Sequence, residues 1–257
     1  MRKIIVFLFF LASLASTLIV PASAVNPFSS TATVFSDVDA QKSGPCDQAK
    51  PYVEKVTNFS KTKAFDAALD SLKNKAVAAP GLEFSIAFGE DTMGNVTSSA
   101  INAGGRSSGN IPAMPNPFGD LHNHPNNTPP SSGDLYGLIR RNSKNKNYDT
   151  RFVITQDGRI YAMVINDTAA ASAFLSKYPP QQEAGYSPLF PDALFDEYRK
   201  IQYGYGVSEE IAMAYVLEKY EAGVSLLKRY AEGDFKKLRT VTSGAANNLV
   251  FAASNCE

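Results

Sequence analysis

Three side chains in one short stretch have the types and spacing to hold a metal ion. Residues 118–134 read F-G-D-L-H-N-H-P-N-N-T-P-P-S-S-G-D and contain both histidines of the chain, His122 and His124. On a β-strand, residues i and i+2 project from one face, so the two imidazoles can share an ion. Asp134, arriving from the next element, would add a carboxylate and leave a fourth tetrahedral position for water. Three protein ligands plus water is the arrangement of a catalytic zinc site, not a structural one. Pro125 supports this geometry, because it disfavours the α region at His124 and holds the strand extended. A second reading stands beside the first. S-x-x-D at the start of a helix is a capping box, with Ser131 (or Ser132) as N-cap and Asp134 facing back on it.

The wording H-N-H-P followed by P-S-S-G-D resembles the zinc signature of the JAMM (MPN, JAB-type) metallopeptidase family: H-x-H-P, a short spacer, then S-x-x-D. Bacterial and RadC-like members are the most similar in wording. The spacer between Pro125 and Ser131 is one residue shorter than is usual there. The resemblance covers roughly residues 82–164. It implies an MPN-like mixed β-sheet flanked by helices, with Zn2+ held by His122, His124 and Asp134. It also implies that Ser131 assists the oxyanion of a tetrahedral intermediate. That family further supplies a general base from a glutamate on an early strand, shortly before a glycine. Glu83 fits, with Gly89 downstream; Glu90, at the turn end of the same hairpin, is the competitor. A solvent-facing strand residue is the plainer reading of Glu83.

H-x-H at a strand end also opens barrel hydrolases of the amidohydrolase and phosphoesterase types. Those sites need further histidines from later strands, and none follows His124.

The elements that must position these residues can be read from periodicity and punctuation. Residues 47–78 have helical spacing at Val53, Val56, Phe65, Ala68, Leu69 and Leu72, with a possible split at Asn58–Ser60. Leu82–Phe88 and Val96–Asn102 read as strands joined by the turn Asp91–Asn95. A Gly/Ser/Pro-rich loop, Gly104–Pro117, delivers the chain to a short buried strand, Phe118–His124. It could shape a substrate groove or simply connect two strands. A helix to about Asn142 follows, then a hairpin, Arg151–Thr155 with Arg159–Val164, across Gln156-Asp157-Gly158.

Asp167 caps a helix to about Lys177. A Pro/Gly-rich loop spans Tyr178–Pro191, and helices are expected near Ala193–Ile201 and Ser208–Tyr220. Gly223–Tyr230 and Phe235–Val241 read better as a second hairpin than as a helix, although Leu226, Leu227 and Tyr230 also fit helical spacing. The expected class is α/β (α+β), with extra N- and C-terminal helices. The expected division is a lead-in with helices at 25–80, a catalytic core at 81–168 and a C-terminal extension at 169–257.

Residues 1–24 read as a secretory signal peptide. Arg2 and Lys3 form the n-region, Ile4–Val20 the apolar run, and Ala22-Ser23-Ala24 the cleavage site. The alternative is an uncleaved membrane anchor. A secreted or periplasmic protein is expected, with no membrane attachment after cleavage. Lys+Arg and Asp+Glu both total 25, a net charge of zero, so no basic footprint for nucleic acid stands out. The only cysteines, Cys46 and Cys256, are expected to pair in an oxidising compartment, the alternative being two free thiols.

The function expected from these readings is an exported zinc metallopeptidase hydrolysing a peptide or isopeptide amide. Its partner would be a peptide, protein or peptidoglycan-type substrate. The alternatives are a non-catalytic MPN-like metal-binding or interaction module and a secreted effector or toxin metallopeptidase.

Overall fold

The computed structural model of the chain describes residues 45–106, 109–184, 187–244 and 249–256. The leader expected at residues 1–24 and its cleavage site lie outside them.

Two helices lead: α1 (Pro45–Ser60) and α2 (Lys63–Ala78). They separate just past the expected Asn58–Ser60 split. Thr62 caps α2, its hydroxyl oxygen accepting from the Phe65 N–H. The α2 residues Phe65, Ala68, Leu69 and Leu72 are buried, and their spacing makes one apolar stripe.

Nine strands follow among the described residues. They are β1 (Phe84–Glu90), β2 (Val96–Ser98), β3 (Asn102–Ala103), β4 (Pro117–Asn123), β5 (Thr150–Ile154), β6 (Ile160–Ile165), β7 (Val224–Arg229), β8 (Phe235–Ser243) and β9 (Val250–Asn255). They form one sheet in the order β2-β1-β4-β5-β6-β7-β8-β9, with β3 also pairing β1. Every pairing is antiparallel except β4 with β5. The remaining helices are α3 (Ser132–Lys144), α4 (Thr168–Lys177), α5 (Asp192–Arg199), which runs into a π-helical turn at Lys200–Gly204, and α6 (Glu209–Lys219). The expected α+β architecture is therefore present.

Helices cover both faces of the central strands, so β5 and β6 are buried along their whole length. On β6, Ile160, Ala162 and Val164 pack with α1 and α2, while Tyr161, Met163 and Ile165 pack with α3, α4 and α6. The α1/α2 side is rich in phenylalanine. Phe65, Phe88 and Phe152 are fully buried, and Phe59 meets all three. Burying one such side chain is worth roughly 1.5–3 kcal/mol.

The single crossover positions the candidate site. Parallel neighbours cannot be joined by a tight turn, so the chain leaves β4, runs through α3 and enters β5 beside β4. The N-terminus of α3 thereby sits at the C-terminal end of β4. In open α/β sheets, the crevice outside the carboxyl ends of the strands is where ligands bind.

Three expectations need correction. The strand expected at Val96–Asn102 is two short pieces, because Ser99 interrupts it. The Ser99 hydroxyl accepts from the Ala87 N–H at 3.0 Å, where a backbone carbonyl would otherwise continue the ladder. The strand expected at Leu82–Phe88 begins at Phe84, which leaves Glu83 just ahead of it. The β9 strand has no counterpart in the sequence reading. It pairs only with β8, and its buried Phe251 meets Tyr205 and Tyr215. The hairpin favoured for Gly223–Val241 is found as β7 and β8, and it extends the same sheet directly from β6.

Cys46 of α1 and Cys256 beyond β9 form a disulfide, with Cα atoms 5.3 Å apart and 210 residues between them. In the chain-entropy account, a loop this long is worth about 5 kcal/mol at most. Among the described residues, no helix is long and apolar enough to cross a membrane.

Candidate metal centre

Asp120, His122 and His124 alternate along β4 and its end, pointing to the α3 side of the sheet. Leu121, between them, packs on the α1/α2 side. Asp134 enters from the first turn of α3. The result is a buried group of His122, His124 and Asp134 whose ligand atoms lie within 4.8 Å of one another. His122 Nε2 is 2.9 Å from Asp134 Oδ1, and His124 Nε2 is 3.3 Å from Asp134 Oδ2. Tetrahedral ligation at ~2.0–2.1 Å separates neighbouring ligand atoms by roughly 3.4 Å. The two histidine–aspartate spacings therefore lie within about half an ångström of that value.

The far side of each imidazole is already committed. His122 Nδ1 is 3.3 Å from Asp120 Oδ1, and His124 Nδ1 is 3.0 Å from the Thr128 carbonyl oxygen. Each contact assigns the proton to Nδ1 and leaves Nε2 as the metal-facing nitrogen. This is the usual support behind a ligating histidine.

Without an ion, the same atoms form an ion pair. Burial alone would lower the His122 pKa, but Asp134 and Asp120 overcome it and raise it to about 9. Burial alone would raise the Asp134 pKa, yet the imidazoles, His122 first, hold it well below the usual carboxylate range.

Asp134 is also a capping residue. The Ser131 N–H donates to Asp134 Oδ2 at 2.7 Å, the Ser131 hydroxyl donates to the same oxygen at 2.8 Å, and the Asp134 N–H donates to Ser131 Oγ at 3.3 Å. Capping and ligation are thus compatible here. Oδ1 lies toward His122 while Oδ2 serves the cap and faces His124. Ser131, not Ser132, is the N-cap. The Ser132 hydroxyl instead donates to the Pro188 carbonyl, tying the Tyr178–Pro191 loop to the start of α3.

Glu83 is brought to the site and Glu90 is not. Glu83 lines a cavity of about 270 Å³ together with His122, His124, Ser131 and Asp134. It is buried, with 8 % exposure, and not solvent-facing. Burial raises its pKa, and the two histidines offset part of that rise. Glu90 is exposed at the opposite end of β1, on a separate cleft with Lys55 and Lys146.

Several residues at the site were not picked out from sequence. Arg151 of β5 is buried behind the metal group. Its Nε donates to Asp120 Oδ2 at 3.0 Å and its Nη1 to the Asp134 carbonyl at 3.1 Å. Tyr148 donates a short hydrogen bond to the same Asp120 oxygen. Gly137 makes room for Arg151, since a Cβ there would stand 2.5 Å from Nη1.

Asn123, between the two histidines, serves the other strand. Its Oδ1 accepts from the Phe84 N–H at 2.7 Å, and its Nδ2 donates to the Leu82 carbonyl at 3.0 Å. The side chain takes over where the β1–β4 ladder ends at Ser85–His122, and it clamps the backbone on both sides of Glu83. The D-x-H-N-H spacing carried a signal for Asp120, which shares a strand face with His122. Nothing local pointed to Arg151 or Tyr148, which belong to another strand and its approach.

No protein-family model matches the chain, and no curated protein matches it.

Proposed function

We propose that this protein is an exported zinc metallopeptidase of JAMM type, hydrolysing a peptide or isopeptide amide. One observation carries the reading: a buried two-histidine, one-aspartate group shares a small cavity with a buried glutamate that is not part of the group. Ligands and a separate base are the two things that metal-assisted amide hydrolysis requires.

His122, His124 and Asp134 would hold the ion, and nitrogen and carboxylate donors with an open position suit zinc. Bound there, zinc would polarise a water and the scissile carbonyl. Glu83 takes the proton from the attacking water and returns it to the leaving amine. A carboxylate at that position can make both transfers. Ser131, at the cavity wall, would turn its hydroxyl proton from Asp134 Oδ2 to the developing oxyanion. Asp120 and Thr128 keep the two imidazoles oriented. The leader at residues 1–24 and the Cys46–Cys256 disulfide both suit an oxidising, extracytoplasmic location.

The test separates binding from turnover. Purified protein should take up about one zinc per chain. Glu83→Gln should keep that zinc and lose ~10²–10⁴-fold in amide hydrolysis. Asp134→Asn should lose the zinc itself. Full turnover in Glu83→Gln would remove Glu83 as the base. Absence of zinc uptake by the wild type would remove the metallopeptidase reading.

A further inference from the structure

We propose that Arg141 is an anion-recognition residue of this cavity, and that the substrate carries a carboxylate within about three residues of the scissile amide. The inference rests on the metallopeptidase reading and names the substrate class for it.

Four observations lead there. First, Arg141 lines the same cavity as His122, His124, Asp134 and Glu83. Second, it is half-buried, and its guanidinium lies over the Tyr148 ring, 5.5 Å from the centroid, with no carboxylate partner among the described residues. Stacking holds the planar group while leaving its N–H edge free to donate, which is how arginine presents a fork to a carboxylate. Third, the other cavity arginine is spoken for, since Arg151 is paired with Asp120 and contacts Asp134. With a divalent ion in place, the charges of Asp134 and ionised Glu83 balance it, and Asp120 balances Arg151. Arg141 then leaves the cavity with one net positive charge.

The fourth observation is reach. Asp134, Gly137 and Arg141 lie on one face of α3, and seven residues of helix separate Asp134 from Arg141 by roughly 10 Å along the axis. Helical side chains lean toward the N-terminus, and Arg141 lines the cavity that the metal group lines. An axial span of that size corresponds to at most about three residues of extended peptide at about 3.3–3.6 Å each. The shared chemistry is a carboxylate, whether a free C-terminus or an acidic side chain.

The test uses short peptide hydroxamates, which chelate zinc and so report binding without requiring turnover. Three compounds differ only beyond the chelating group: a free C-terminal carboxylate, the corresponding carboxamide, and a carboxamide bearing a glutamate side chain. Calorimetry on zinc-loaded protein should show one of the two acidic compounds binding about 10–100-fold more tightly than the neutral one, the gain expected of a charge-assisted hydrogen-bonded pair. Which acidic compound gains identifies the source of the carboxylate. Arg141→Met should erase the preference while leaving the neutral compound's affinity unchanged, and Arg141→Lys should keep part of it. No preference in the wild type, or an undiminished preference in Arg141→Met, overturns the proposal. Failure of the underlying zinc reading looks different: no zinc by elemental analysis and no binding of any hydroxamate.

Discussion

Asn123→Ala tests whether the residue between the histidines organises the site. The side chain makes two hydrogen bonds to the backbone flanking Glu83, one of them to a buried Phe84 N–H. Truncation removes both and leaves that N–H without its acceptor. An ordinary hydrogen bond contributes ~1 kcal/mol net, and an orphaned buried donor costs ~1–3 kcal/mol, so the expected loss is about 2–4 kcal/mol. For a chain of this size that corresponds to a melting temperature lower by roughly 5–15 °C.

Urea unfolding gives the free energy directly, and an unchanged m-value would show that only stability moved. His122 on β4 and His124 just beyond it keep their places, so the proposed zinc uptake should persist in the folded variant. The proposed hydrolysis should fall, because Glu83 loses the clamp on the backbone to either side of it. A stability change below ~0.5 kcal/mol, the range of a neutral surface substitution, would refute the clamp. Unaltered turnover in a destabilised variant would refute its role in positioning Glu83.

Two further predictions concern the frame around the site. Arg151→Met leaves Asp120 buried without its cation and should cost about 3–5 kcal/mol by denaturant unfolding; the double variant with Asp120→Asn should recover part of the loss, and simple additivity would show that the two groups do not act as a pair. Replacing Cys46 and Cys256 together by serine should lower stability by ~2–4 kcal/mol, and an unchanged unfolding midpoint would mean that the bridge does not constrain the unfolded chain.

Local chemistry was legible wherever it sat within one segment. His122 and His124 share a face because a strand alternates. Asp134 follows at a helix start marked by Ser131. Asp167 caps its helix as its position before an apolar run suggests. The β5–β6 hairpin is likewise written in its turn, Gln156-Asp157-Gly158. The signal weakened where a side chain replaced a backbone partner. Ser99 breaks a strand that its sequence continues, and Asn123 ends a ladder while looking like a spacer between ligands. The β9 strand was missed because it is a largely exposed edge with one buried apolar residue, Phe251, and so lacks an alternating apolar pattern.

The sequence by itself determined the candidate donor set, the α+β class and the one cysteine pair available, because these depend on residue types and on spacings within single elements. Only the tertiary structure placed Glu83, and not Glu90, beside the histidines. The two glutamates sit at opposite ends of one strand, and the strand's direction beside β4 carries Glu83 to the histidines and Glu90 away from them. It also brought Arg151, Tyr148 and the Pro188 loop to the site, through the parallel β4–β5 pairing and the packing of α3 across it. Contacts of that kind join residues far apart in the chain, and no local pattern encodes them.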